Sequence, residues 1–177
     1  MTKITRSALL GAGSAIALVG FPLMTRFVEA AQAADKNDLA TLNAAIELER
    51  AGIKAYADAA ATGLLPAGIL QVAKGFAADH TAHRDALIAA VIAGGGTPSA
   101  ATAKLTYPPL KSQADVLHFA KTIEEKAAST YLSIIPDFKD RNLASVAASI
   151  LGVETTHVAL LASVLGEPRA YSSGFAV

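Results

Sequence analysis

Apolar residues recur every three or four positions in four stretches of the chain, and Gly and Pro stand between the stretches. That period belongs to amphipathic helices. The first stretch predicts a helix from about Asp38 to Ala61, with Leu42, Ile46, Ile53 and Ala60 inward and Asp38 as N-cap. Gly63 and Pro66 end it. The second predicts a helix from about Ala67 to Ala93, with Ile69, Ala73, Phe76, Leu87 and Ala90 on one face. Gly94-Gly95-Gly96-Thr97-Pro98 stops it. The third runs from about Ser112 to Ile134, with Leu117, Ala120, Ile123, Ala127 and Ile134 inward, and Pro136 closes it. The fourth runs from about Arg141 to Leu165, with Ala147, Ile150, Leu161 and Val164 inward, and Gly166-Glu167-Pro168 terminates it. No run with a strand's period of two competes.

The joints set the topology. Helices one and two, and helices three and four, are separated by a few residues each, which makes antiparallel neighbours. The link from Gly94 to Lys111 is much longer and could reach ~60 Å extended, whereas a helix of this size is only ~38 Å long. It can run the length of the bundle and start helix three at the far end. The expectation is an all-α four-helix bundle over residues 34–168, two antiparallel hairpins joined by a long crossover, with a short tail at 169–177.

Composition narrows the picture. Hydrophobic residues make up 53% of the 177 and charged ones 17%, which excludes disorder as a description of the whole. Lys plus Arg and Asp plus Glu number 15 each, so no basic footprint points to nucleic acid. The absence of Cys excludes disulfides, thiolate metal sites and cysteine nucleophiles. Lys3 and Arg6 precede a charge-free run from Ser7 to Thr25, and Ala30-Ala31-Gln32-Ala33-Ala34 follows. A positive start, an apolar middle and an Ala-x-Ala end form a secretory signal over residues 1–33, with cleavage after Ala33. Export to the periplasm follows. An uncleaved membrane anchor is the alternative, since the run could just span a bilayer.

Several polar residues fall on the inner faces. Glu49 lies between Ile46 and Ile53, and Tyr56 is one step further on that stripe. Glu124 lies with Ala120, Ala127 and Tyr131. His80 and His83 lie in line with Phe76 and Leu87, and Glu154 and His157 with Ile150 and Leu161. By contrast Glu47, Arg50 and Lys54 share a face suited to surface pairs, while Glu125 faces solvent with Lys121 and His118. The halves repeat: Glu49 to Tyr56 is seven residues, as is Glu124 to Tyr131, and Thr81-Ala82-His83 answers Thr155-Thr156-His157. Each hairpin offers one carboxylate from its first helix and an i, i+3 pair from its second. Such pairs point the same way, so six side chains converge in the core. Bare carboxylates there cost several kcal/mol each unless paired, and divalent cations supply the missing charge.

With Leu48-Glu49, Tyr56, His80-Thr81-Ala82-His83, Glu124, Tyr131 and Glu154-Thr155-Thr156-His157, the chain resembles the ferritin-like superfamily, specifically small exported bacterial proteins with a ferritin-like domain. The resemblance covers roughly Asp38 to Leu165. It implies a ferritin-like bundle in which Glu49, His83, Glu124, Glu154 and His157 match metal-ligand positions. Tyr56 and Tyr131 would stand beside the metal as hydrogen-bond partners or as sources of a proton or electron. His80 departs from the pattern, which has Glu there, commonly bridging two metals. One divalent ion, an asymmetric pair, or a pair completed by water or hydroxide all stay open. Three His and three Glu suit Fe, Mn, Zn or Co, with Fe or Mn favoured by the resemblance. Asp79 lies about 100° from His80 on the helical wheel and is a poor substitute for the missing Glu.

Two functions from different classes follow. One is an exported metal-binding bundle with oxidoreductase or ferroxidase-type chemistry toward O₂ or peroxide, with a homodimer left open. The other is a non-catalytic ferritin-like scaffold in stress, desiccation or envelope interactions, its bundle retained and its site decayed; a salt-linked Glu–His core without metal is a further reading of the same residues. Iron storage in a shell is a weaker third, because no fifth helix is evident.

Overall fold

A computed structural model describes residues 34–167. The expected signal segment and tail lie outside them. Four helices form, α1 (Lys36–Ala61), α2 (Ala67–Ala93), α3 (Gln113–Ile134) and α4 (Arg141–Val164), with a 3₁₀ turn at Ile135–Asp137 between the last two. No strand occurs among the described residues.

Local chemistry starts and stops these helices close to the predicted places. Ser112 caps α3 by accepting from the Asp115 N–H, and Asp140 caps α4 by accepting from the Asn142 N–H. Gly63, Gly95 and Gly166 follow three of the helices with φ of 67°, 79° and 72°, a left-handed turn that favours glycine. The N-cap of α1 is a correction: Asp35, not Asp38, accepts from the Asn37 N–H. Asp38 is buried inside the first turn and accepts from the backbone N–H groups of Lys139 and Asp140, each at 3.0 Å. It clamps the start of α1 to the α3–α4 joint.

These contacts also give the directions. The Ala34 N–H donates to Gly94 O, so α2 ends where α1 begins. The Asp38 clamp puts the end of α3 and the start of α4 at that same end. Helices α1 and α4 therefore run one way and α2 and α3 the other, and the link must travel back along the bundle. It does so on the outer face of α1. Asn43 bonds Thr97 O and the Ser99 N–H, Glu47 accepts from Ser99 Oγ, Arg50 donates to Ala100 O, and Tyr107 donates to Asp58. The predicted surface pairs among Glu47, Arg50 and Lys54 are thus corrected: two of these residues seat the crossover, and Lys54 pairs with Asp58.

Two apolar clusters occupy the bundle axis. One, near the start of α1, is built on Leu42, Ile46, Leu87, Tyr131, Phe138 and Ile150. The other, toward the end of α1, is built on Tyr56, Phe76, Leu117, Ala120 and Leu161. The inward reading of Val164 is a correction, since it is 53% exposed at the last turn of α4. Ile53 and Ala60, read as inward, are only half-buried. Lys121 is half-buried between Glu125 and Glu167 instead of standing free in solvent.

Candidate metal centre

Between the two clusters lies a layer of charge. Glu49, His80, His83, Glu124, Glu154 and His157 are all buried, none more than 7% exposed. They come from all four helices and meet at one height. Their ligand atoms form two overlapping sets, Glu49–His80–His83–Glu154 and His80–Glu124–Glu154–His157, each with its atoms within 4.8 Å of one another. His80 and Glu154 belong to both.

The shared residues face both ways. Glu154 Oε1 is 3.0 Å from His83 Nδ1 and 3.7 Å from His80 Nδ1, while its Oε2 is 3.7 Å from His157 Nδ1. His80 Nδ1 lies 2.7 Å from Glu49 Oε2, and its Nε2 lies 3.4 Å from Glu124 Oε1. The pattern's missing bridging carboxylate is therefore replaced by a ring with one nitrogen toward each set.

The tyrosines pair crosswise. Tyr131 of α3 donates to Glu49 Oε1 on α1, and Tyr56 of α1 donates to Glu124 Oε1 on α3. Each carboxylate keeps its second oxygen turned to the interior. Burial, then the neighbouring carboxylate charge, pushes both phenols well above their ordinary range, so they remain donors.

The charges are arranged to need one another. Burial pulls His80 down, but Glu124 and Glu49 more than reverse this, to about 10. His83 is pushed up to about 9 by Glu154 and Glu49, and His157 to about 11 by Asp79, Glu124 and Glu154, each against burial. Glu49 and Glu124 are held low by the imidazoles despite burial, whereas burial raises Glu154. Even so, His80 Nε2, His83 Nδ1, His157 Nδ1, Glu124 Oε2 and both oxygens of Glu154 make no hydrogen bond. These atoms meet one another as ion pairs at 3.0 to 3.7 Å without well-formed hydrogen bonds, and each falls short of full satisfaction by up to about 1–3 kcal/mol. Once the rings give up their protons, this donor set of imidazole nitrogen and carboxylate oxygen fits a divalent ion.

Three neighbours shape the site without belonging to the six. Asp79, dismissed as a ligand, accepts from His157 Nε2 at 3.1 Å and turns the other ring nitrogen inward. Phe76 stacks on the His157 ring at 3.8 Å. Gly52 lets the His80 ring lie against α1, since a Cβ there would meet ring atoms at 2.8 Å. Its signal in the sequence is a glycine three residues after Glu49, inside a helical pattern. His118 is exposed and takes no part.

Known proteins resemble this chain in fold. A solved structure of a conserved hypothetical protein from Mycobacterium tuberculosis matches with a TM-score of 0.66 and 24% identity, covering 73% of this chain and 91% of that one. A solved structure of ferritin-like, diiron-carboxylate proteins from Bacillus anthracis str. Ames matches with a TM-score of 0.63 and 20% identity, covering 80% of this chain and 99% of that one. No curated protein matches the sequence. The ferritin-like domain family model matches residues 37–167, and the chain belongs to that family.

Proposed function

We propose that this member of the ferritin-like family is an exported metal-binding protein that holds one or two divalent ions, iron or manganese, and acts on O₂ or peroxide. The observation that carries the reading is the set of nitrogen and oxygen atoms without hydrogen bonds that converge from α2, α3 and α4, beside Glu49 of α1. Glu49, His83 and Glu154 would hold one ion and Glu124, Glu154 and His157 a second, with His80 completing one of the two, since a neutral imidazole offers a lone pair from one nitrogen only. Such an ion supplies one-electron exchange with the oxidant. The protein's own part is to hold Glu49 and Glu124 in place through Tyr131 and Tyr56, to fix His157 through Asp79, and to exclude water with the apolar clusters on either side. Tyr56 and Tyr131 are the nearest sources of a proton or electron. Export is supported by the Lys3–Ala34 pattern.

Elemental analysis of untagged, full-length protein tests this. Near-stoichiometric iron or manganese is expected, lost in Glu154→Ala, retained in Tyr56→Phe, and reduced in Gly52→Ala, which crowds His80 without removing a ligand. Uptake should release protons, because the imidazoles hold them at neutral pH and an ion needs them neutral. Processing at Ala33 would appear as a shorter mature mass in the periplasmic fraction.

A second reading has its own observation. Three imidazoles face three carboxylates, and His80 already reaches Glu49 at 2.7 Å. In that reading the cluster is a metal-free salt-linked core in a non-catalytic scaffold. No metal after reconstitution with Fe(II) and Mn(II) would favour it.

A further inference from the structure

The second apolar cluster does not fill its end of the bundle. A cavity of ≈ 250 Å³ opens there between the end of α1, the start of α2, the first half of α3 and the end of α4. Its inner wall is formed by Tyr56 and Phe76, and small residues such as Ala73 and Ala120 leave the space between them and the surface. Val72, Leu160 and Val164 stand at its mouth, 50%, 47% and 53% exposed. They are three of the four large apolar side chains that stand exposed among the described residues. Exposed apolar surface gathered at one opening marks a binding feature rather than scatter.

The inner wall is also the wall of the candidate metal centre. The Tyr56 hydroxyl is turned to Glu124 and its ring centroid is 5.6 Å from that of His80, while Phe76 stacks on His157. One ring thickness separates cavity from ligands. The Tyr56 hydroxyl is spent on Glu124, and every other lining residue is apolar. Water needs two to four polar partners to settle in such a space, and a charged or strongly polar guest would lose its hydration without replacement. Size argues against a mere gas passage. A 150 Å³ apolar cavity takes benzene, and this one has room for about eight water-sized groups.

We propose that this cavity binds an uncharged, apolar organic molecule, such as a substituted single ring or a short alkyl chain, with its inner end against Tyr56 and Phe76 beside the metal centre. The binding site stands on the cavity alone, and its place as a substrate site rests on the function proposed above.

Toluene and benzoate, one ring without and with a charge, are the probes. Calorimetry with the full chain should show one toluene bound, with a negative heat-capacity change, and benzoate at least about 100-fold weaker. Ala73→Phe fills the interior and Gly68→Phe fills the mouth from a position whose Cβ meets nothing within 4 Å. Either should weaken toluene at least about tenfold and leave ion content unchanged. Cobalt(II)-loaded protein should shift its visible absorption when toluene binds. Uptake of xenon but not toluene, equal binding of benzoate, or an unmoved cobalt spectrum at saturating toluene would overturn the proposal. So would a dimer that excludes toluene and dissociates in Leu160→Glu. Toluene binding by protein that takes no metal would keep the site and sink the proposed function; metal loading without toluene binding would do the reverse.

Discussion

The two ends of the bundle are built from the same four helices and pack differently. At the end where α1 begins, branched and aromatic side chains interlock: Leu42, Ile46, Leu87, Val91 and Ile150 are at most 1% exposed, and Phe138 of the α3–α4 joint covers them. Buried Asp38 seals that end by holding two backbone N–H groups of the joint. At the other end, Ala59, Ala73 and Ala120 stand where larger residues would close the core, and a hollow remains. There the crossover is fastened to α1 from outside, by Tyr107 on Asp58. The charged layer lies between, backed by a tightly packed wall on one side and by Tyr56 and Phe76 at the floor of the hollow on the other.

Truncation should expose this asymmetry most strongly. Ile46 is fully buried at the closed end, so Ile46→Ala should cost about 2–5 kcal/mol in transfer and cavity terms. Leu161, at 6% exposure, already borders empty space, and its neighbours lose fewer contacts when it shrinks. Leu161→Ala should cost about half as much. Paired urea titrations of metal-free protein measure both. Equal losses would mean the open end is as tightly packed as the closed one.

The seals should differ next. Asp38→Ala leaves the Lys139 and Asp140 N–H groups without acceptors, at a cost of about 1–3 kcal/mol. Asp38→Asn keeps one acceptor oxygen and should lose about half of that. Amide exchange at Lys139 and Asp140 should quicken in Asp38→Ala well before exchange at Ile150 does. Uniform quickening would show that Asp38 stabilises the whole bundle rather than its joint.

The unequal legibility of the two ends has physical causes. Helix limits were readable because Gly63, Gly94 and Gly166 and the nearby prolines break a 3.6-residue period, and α2 begins and ends where predicted. Convergence of the six polar residues was readable because i, i+3 spacing and the repeat between halves fix their faces. Residues whose partner lies on another element were not. The position of Asp79 on its own helical wheel says only that it points away from His80, yet it meets His157 across the bundle. Asp38 looks like a cap because a cap and a tertiary clamp use the same acceptor at the same kind of position. The crossed Tyr–Glu pairs need the relative height of α1 and α3, which no single periodicity contains. The cavity was invisible because it is an absence, the sum of several small residues that each read as ordinary helix.

The outer fastening of the open end should give the smallest effect, and pH identifies it. Asp58 accepts from Lys54 and from the Tyr107 hydroxyl, which hold its carboxyl below the usual value of 3.8 against a small burial penalty. A carboxyl depressed on folding stabilises the protein above its unfolded value and loses that stabilisation as pH falls through the folded one. The contact is near the surface and screened, so Asp58→Asn should cost only about 0.5–1 kcal/mol at pH 7. That deficit should hold constant above the unfolded value of 3.8 and shrink as pH falls through the lower folded value, where the wild-type carboxyl itself takes up a proton. Tyr107→Phe should reproduce part of it, since the ring keeps its packing on Phe119 at 4.1 Å and only the hydroxyl is lost. A deficit in Asp58→Asn that does not shrink as pH falls well below 3.8 would mean the crossover is held there by the shape of the Tyr107–Phe119 contact rather than by charge, and acid would then loosen neither fastening of the open end.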